Sequence, residues 1–254
     1  MAALAGKKGL IVGIANEHSI AYGCAKAMHA DGADLAVTYL NEKAEPHVRP
    51  LAEELDCPII MPCDVEVPGA LESVYERIAA DWGSLDFVLH SIAFAPAEDL
   101  HGRVVDCSRQ GFTLAISISV HSFIRMARLA EPLMAAGGCL LTMTYYGSEK
   151  VVESYSIMGP VKAALEATTC YLAAELGSGR IRVNAISPGP LQTRAASGIK
   201  HFDSILNKAL AKAPEHRLVS IDDVGALAAF LVSDQAAAIT GEIIHVDAGY
   251  HAID

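Results

Sequence analysis

The sequence is poor in charge: Asp, Glu, Lys and Arg make up only 19% of its 254 residues, against 52% hydrophobic residues. That ratio suits strands buried on both faces, which need continuous apolar runs rather than alternation. A basic surplus is missing as well. With 19 Lys and Arg against 30 Asp and Glu, the net charge is −11, which argues against a nucleic-acid partner. The cysteines Cys24, Cys57, Cys63, Cys107, Cys139 and Cys170 form no C-x-x-C pair and have no histidine at zinc spacing. They read as reduced core thiols of a cytoplasmic protein, with no metal site. No apolar stretch approaches the ~18 residues that span a bilayer. The opening MAALAGKKGLIVGIA carries a short apolar run that flows into a glycine turn, and this reads as a first strand rather than a signal peptide. There is no Pro/Gly/Ser linker, no internal repeat and no low-complexity tract, so residues 1–254 read as one domain.

What is present is a regular alternation. Apolar runs fall at 9–15, 34–40, 58–65, 85–93, 138–145, 181–189 and 242–249. Helical patterns lie between them near 19–31, 43–55, 68–81, 111–136, 160–177 and 222–233. Strands alternating with helices imply right-handed crossovers and a parallel sheet. The expected fold is therefore α/β: a Rossmann-type, doubly wound, seven-stranded parallel sheet. Residues 192–217 break the rhythm, with no strand and a mixture of small, apolar and basic residues. A segment of that length after a strand's carboxyl end is expected to be a substrate-binding lid.

The dinucleotide fingerprint G-x-G-x-x-G is absent, but its physical parts remain. Gly13 ends the first strand with a tight turn, and Ser19 places a hydroxyl at a helix N-terminus, where backbone N–H groups can take a pyrophosphate. Asp64 ends the third strand, where its carboxylate either accepts from an adenine amine or caps a helix. His90-Ser91-Ile92-Ala93 ends the fourth strand with small residues on which a flat cofactor can lie. After the second strand come Leu40, Asn41, Glu42 and Lys43. With no Arg at 40 or 41 to accept a 2′-phosphate, NADH is favoured over NADPH.

Tyr155 and Lys162 are seven residues apart. On a helix they would share one face, about 10 Å apart along the axis. Pro160 lies between them, and proline is tolerated only in a first turn, so the helix is expected to begin near Tyr155. His90, His121, His201 and His245 have no carboxylate or cysteine at a useful spacing and read as structural or exposed.

Several motifs belong together: G-I-A-N-E-H-S-I-A-Y-G (13–23), C-D-V (63–65), H-S-I-A-F-A-P (90–96), T-Y-Y-G (144–147), Y-S-I-M-G-P-V-K-A (155–163), A-A-S-G-I-K (195–200) and G-E-I-I-H-V-D-A-G (241–249). The set resembles the divergent branch of the short-chain dehydrogenase/reductase superfamily, the bacterial NADH-dependent enoyl-[acyl-carrier-protein] reductases of type II fatty-acid synthesis. Most of that superfamily sets Tyr and Lys four residues apart with a serine upstream. Here the spacing is wider, and only Thr142 and Thr144 stand near the serine position. The resemblance implies paired tyrosine roles for Tyr145 and Tyr155 and the lysine role for Lys162. It also implies cofactor contacts at Gly13, Ser19, Ile20, Asp64, Val65, Ile92, Lys162, Leu191 and Thr193, and a substrate contact at Ala95. The substrate would be an enoyl group linked to acyl carrier protein, and the assembly a homotetramer. Leu40 and Ser187-Pro188-Gly189 depart from the branch, which often has alanine at the Pro188 position.

The spacing suits conjugate reduction. Hydride reaches the β-carbon of the enoyl thioester while charge builds on a thioester oxygen three bonds away, so a phenol set further from the lysine meets that oxygen. On this reading the Lys162 charge lowers the Tyr155 pKa. Two other readings stay open: a reductase of the same fold acting on a carbonyl or another activated alkene, and a non-catalytic nucleotide sensor. The intact Tyr155/Lys162 pair argues against the sensor. Within 192–217, Arg194, Lys200, Lys208, Lys212 and Arg217 stand against Asp203 and Glu215, a local +3 that leaves −14 elsewhere. The lid is accordingly expected to be the docking face for an acidic carrier protein.

Overall fold

The computed structural model describes residues 2–193 and 202–253. Seven apolar runs become strands: β1 (Lys8–Val12), β2 (Asp34–Tyr39), β3 (Ile59–Pro62), β4 (Phe87–His90), β5 (Gly138–Met143), β6 (Ile181–Pro188) and β7 (Ile243–Val246). They form one parallel sheet in the order β3-β2-β1-β4-β5-β6-β7. The order reverses between β1 and β4, where Val12 lies opposite His90. That reversal opens a crevice at the strands' carboxyl ends. Each observed strand is shorter than its apolar run, because the residues beyond the last paired position feed the loops of that edge.

Helices cover both faces. The α1 (Ile20–Ala30), α2 (Glu45–Glu54) and α9 (Ile221–Val232) helices pack on one side, with Met28, Val48 and Val224 fully buried against Ile11, Leu35 and Leu141. On the other side lie α3 (Ala70–Trp82), α6 (Ser122–Ala130) and α7 (Met158–Leu176), which bury Ile78, Phe123 and Leu165 against Leu10, Val88 and Leu140. Strands apolar on both faces are what this arrangement requires.

Three boundaries differ from expectation. The long helix expected over 111–136 is α5 (Arg109–Ile116) running through a π turn, Ser117–His121, into α6. A short α4 (Ala97–His101) precedes it, held by Asp99, which accepts from the backbone N–H and hydroxyl of Ser108. The expected lid is partly helical: α8 spans Phe202–Lys212 and buries Leu206 and Ala209. Arg194 and Lys200 lie outside the described residues. Arg217 is spent locally, paired with Glu215 at 2.7 Å and Asp223 at 2.9 Å, so it does not add an unpaired charge to the basic stretch.

Candidate active site

At the end of β1, Gly13 has φ +123°. A Cβ there would sit 2.2 Å from the Ser91 carbonyl oxygen, so only glycine lets β1 and β4 close up at the switch point. Ser19 occupies the N-cap of α1, but its hydroxyl turns back to accept from Ala15 N–H (3.0 Å) and Asn16 N–H (3.1 Å). It therefore shapes the turn rather than capping the helix. Tyr22 N–H and Gly23 N–H donate to the Ser19 carbonyl at 2.9 and 3.2 Å, so Ile20 and Ala21 carry the N–H groups that precede the first helical acceptor, and such a terminus favours an anion.

The other expected cofactor residues lie along the same edge. Asp64 follows β3, and its Oδ1 accepts from Glu66 N–H at 3.0 Å, so the carboxylate shapes its own turn. The Val65 carbonyl accepts from Arg125 Nη1 at 2.7 Å, which anchors that loop to α6. Ile92 and Ala95 are half-buried beyond β4. Beyond β6, Leu191 helps line a cavity of about 340 Å³ with His18, Pro190, Gln192 and Leu206, and the Thr193 N–H donates back to the Leu191 carbonyl. At the end of β2, Leu40 is 53% exposed. The Asn41 side chain is occupied with Lys43 N–H and Ala44 N–H, both at 3.1 Å.

The tyrosines meet where β5 ends and α7 begins. Their ring centroids lie 4.9 Å apart at 64°, an edge-to-face contact. Tyr155 is not on the helix with Lys162, because α7 starts three residues later at Met158 and takes Pro160 into its first turn. The shared-face picture is thus replaced by a kinked approach. Ser154 (φ 64°) and Ser156 (φ 44°) bracket Tyr155 in left-handed backbone and swing the ring inward. Gly147 makes room, since a Cβ there would lie 2.5 Å from Tyr155 Cδ1.

Tyr155 is 8% exposed and Lys162 6%. Burial drives the Tyr155 phenol well above its ordinary pKa, and Tyr145 and Glu166 push the same way. The expected lowering by Lys162 is thereby overturned, because desolvation of the phenolate dominates. Burial also raises the Tyr145 phenol, with Tyr250 and Tyr146 adding. For Lys162, burial lowers the ammonium to about 8, opposed by Glu166. Its Nζ donates to the Met143 carbonyl at 2.7 Å.

A polar layer that no linear motif marks supports these groups from beneath. His90 is fully buried, with Nδ1 2.8 Å from Thr142 Oγ1 and Nε2 2.9 Å from Ser122 Oγ. The Ser122 proton goes to the Ile118 carbonyl at 2.6 Å, so Nε2 is the protonated nitrogen and Nδ1 accepts from Thr142. Burial and then the Lys162 charge depress His90 to about 3, so it stays neutral. The readable signal was His90 and Thr142 at opposite positions of adjacent strand ends. Glu166, one turn beyond Lys162, accepts from Thr144 and Ser148. His121 is exposed, His245 lies 3.0 Å from Glu149, and His201 is outside the described residues.

The arrangement holds a protonated phenol and an ammonium at the carboxyl edge of a Rossmann-type sheet, with a neutral histidine below. It can donate hydrogen bonds to developing negative charge. An NAD-type cofactor fits: the Gly13 cradle and the α1 N-terminus suit a pyrophosphate, and Lys162 retains two N–H donors beyond its carbonyl contact.

Comparisons with known proteins point the same way. A family model described as enoyl-(acyl carrier protein) reductase matches residues 13–251. The enoyl-[acyl-carrier-protein] reductase [NADH] 1 of Rhizobium meliloti is 47% identical, over 98% of this chain and 91% of its own length. The corresponding Bacillus cereus protein is 46% identical over 100% of both chains. A crystal structure of a Bacillus cereus enoyl-acyl carrier protein reductase with NADP+ and an indole naphthyridinone, 46% identical, aligns with a TM-score of 0.97 over 100% of both chains. The Anaplasma phagocytophilum reductase, crystallised with NAD, aligns with a TM-score of 0.95 at 48% identity, covering 99% and 96%.

Proposed function

The chain belongs to the enoyl-(acyl carrier protein) reductase family, and from that premise we propose how its own residues carry the reaction. It is an oxidoreductase that reduces the trans-2 double bond of an enoyl thioester with NADH, in type II fatty-acid synthesis. The observation that carries the assignment of roles is the buried Tyr145–Tyr155 pair beside Lys162.

NADH supplies the hydride. Gly13, Ser19, Ile20, Asp64, Val65, Ile92, Leu191 and Thr193 would hold the cofactor, and Lys162 would hold its nicotinamide ribose. Tyr155 is protonated at neutral pH because burial disfavours the phenolate, so it acts as a donor and not as a base. Its O–H stabilises the charge that develops on the thioester oxygen. Tyr145, edge-on to Tyr155, sets the orientation of that ring, and Ala95 lines the acyl side. The carrier-protein-linked substrate enters past residues 192–217, which act as the lid of a single domain. The protein works in the cytoplasm as a homotetramer, the assembly that the family resemblance implies.

The test is steady-state oxidation of NADH and NADPH with crotonyl thioester, beside a panel of ketones. Turnover of the thioester with higher kcat/KM for NADH is expected. Preferential turnover of ketones would overturn the substrate, and a higher kcat/KM with NADPH would overturn the cofactor preference.

A further inference from the structure

Two side chains of α7, one helical turn apart, reach back to the same strand end. Lys162 Nζ holds the Met143 carbonyl at 2.7 Å. Glu166 Oε1 accepts the Thr144 hydroxyl and the Ser148 hydroxyl, each at 2.5 Å. Thr144 directly precedes Tyr145, and Ser148 closes the turn that follows it. Ser148 Oγ also lies 3.0 Å from the Tyr145 carbonyl, half an ångström further than from the carboxylate. The single hydroxyl proton therefore goes to the carboxylate, where a charge-assisted bond is shorter and stronger.

We propose that Glu166 is a positioning residue of the active site: one carboxylate grips both flanks of Tyr145 and sets its charge one helical turn from the Lys162 ammonium. The inference rests on the reaction and cofactor assigned above.

The groups that face Lys162 are few. On α7 there is Glu166; from β4, beneath, there is His90, held neutral; from the β5–α7 segment there are the phenols of Tyr145 and Tyr155 and the Met143 carbonyl. Of these, only Glu166 is a carboxylate. It opposes the desolvation that brings Lys162 down to about 8, and it also holds the Tyr155 phenol in its protonated form. Removing the charge while keeping the acceptor should separate the two functions, since a glutamine carbonyl still accepts a hydroxyl.

The experiment follows NADH dissociation constants by fluorescence from pH 6 to 9, with kcat and KM for crotonyl thioester over the same range. In the unmodified protein, NADH affinity falls as pH rises through about 8, as Lys162 loses its proton. Glu166→Gln should move that fall to lower pH by about half a unit, weakening NADH about twofold at pH 8, about threefold at pH 9 and hardly at all at pH 6. Thr144→Val with Ser148→Ala keeps the charge and removes the grip; it should lower kcat about tenfold with the NADH pH profile unmoved. Glu166→Asp should restore the profile, but with a side chain too short to hold both hydroxyls it should not restore kcat.

Superimposable NADH profiles for Glu166→Gln and the unmodified protein would overturn the electrostatic half. An unchanged kcat in the Thr144/Ser148 double variant would overturn the grip. A lower melting temperature in Glu166→Gln with both readouts intact would reduce Glu166 to scaffolding and overturn both. If Glu166→Gln fails to fold, Glu166→Ala carries the electrostatic test, with the same lowered NADH profile expected, and the double variant carries the test of the grip. Because NADH binding is read without substrate, failure of the unmodified protein to turn over the thioester would fail the assigned reaction separately.

Discussion

Burial acts on Tyr155 and Lys162 with the same sign of penalty and opposite chemical results. Desolvation disfavours whichever form is charged, so the phenol is pushed up and the ammonium is brought down to about 8. Tyr155→Phe should therefore lose kcat by on the order of 10²–10³ while keeping NADH affinity, since the lost donor acts only on developing charge. Lys162→Ala should instead raise the NADH dissociation constant, because its contact exists in the ground state. Equal defects in NADH affinity for both variants would refute the division of roles. A stability prediction follows from the lysine. Its folded pKa lies below its unfolded value of 10.5, so between about 8 and 10.5 the unfolded chain binds the extra proton, and the cost of burying the charge is relieved as pH rises. Lys162→Met should thus raise the melting temperature at pH 6.5, and the gain should shrink by pH 9. A loss of stability at pH 6.5 would show that the ammonium's contacts outweigh its desolvation. The tyrosines and the lysine were legible through the family resemblance, whose motifs are linear properties of the chain. Glu166 and His90 were not, because their partners come from other elements.

At the scale of elements, the turns do the positioning. The β1–α1 turn depends on Gly13, where both the positive φ and the 2.2 Å approach to Ser91 exclude a side chain. Gly13→Ala should weaken NADH at least tenfold and cost about 1–3 kcal/mol of stability, read by titration and by denaturant unfolding. Gly147→Ala adds a Cβ 2.5 Å from the Tyr155 ring. It should lower kcat more than it weakens NADH, because the tyrosine moves and the nucleotide edge does not. Equal loss in both would mean that the 146–148 turn supports the whole edge. Pro160 did announce the start of α7, but two left-handed serines moved Tyr155 off the helix. Serine in that backbone region is uncommon, and nothing in its identity advertises it.

Across the whole molecule, charge is distributed unevenly. The chain carries −11, yet Lys208 and Lys212 stand exposed on α8, beside a cavity lined by Leu206 of the same helix. Such rim charges mainly raise association rates, and salt screens them. Lys200→Glu with Lys208→Glu should raise KM for a carrier-protein-linked enoyl substrate at low salt and leave a short free thioester nearly unchanged. Equal damage to both substrates would assign these lysines to the lid itself. The thiols contribute packing: Cys24, Cys57, Cys63 and Cys139 are buried, and burial pushes Cys24 and Cys57 to about 12 and Cys63 and Cys139 to about 11.

The sequence by itself determined the seven strands, the crossover helices between most of them and the edge at which the site lies. A strand buried on both faces must be apolar throughout, and a parallel sheet presents all its carboxyl ends together. The turn after the first strand likewise marked Gly13, and the family resemblance marked Tyr145, Tyr155 and Lys162 as candidates. The tertiary structure decided the rest: which way the Tyr155 ring turns, the Nε2–H form of His90 between Thr142 and Ser122, the spending of Arg217 on Glu215 and Asp223, and the helix within the expected lid. It also reversed the direction of the Tyr155 shift. A pKa depends on how much water the fold removes and which charges it brings near, and neither quantity exists until distant segments meet.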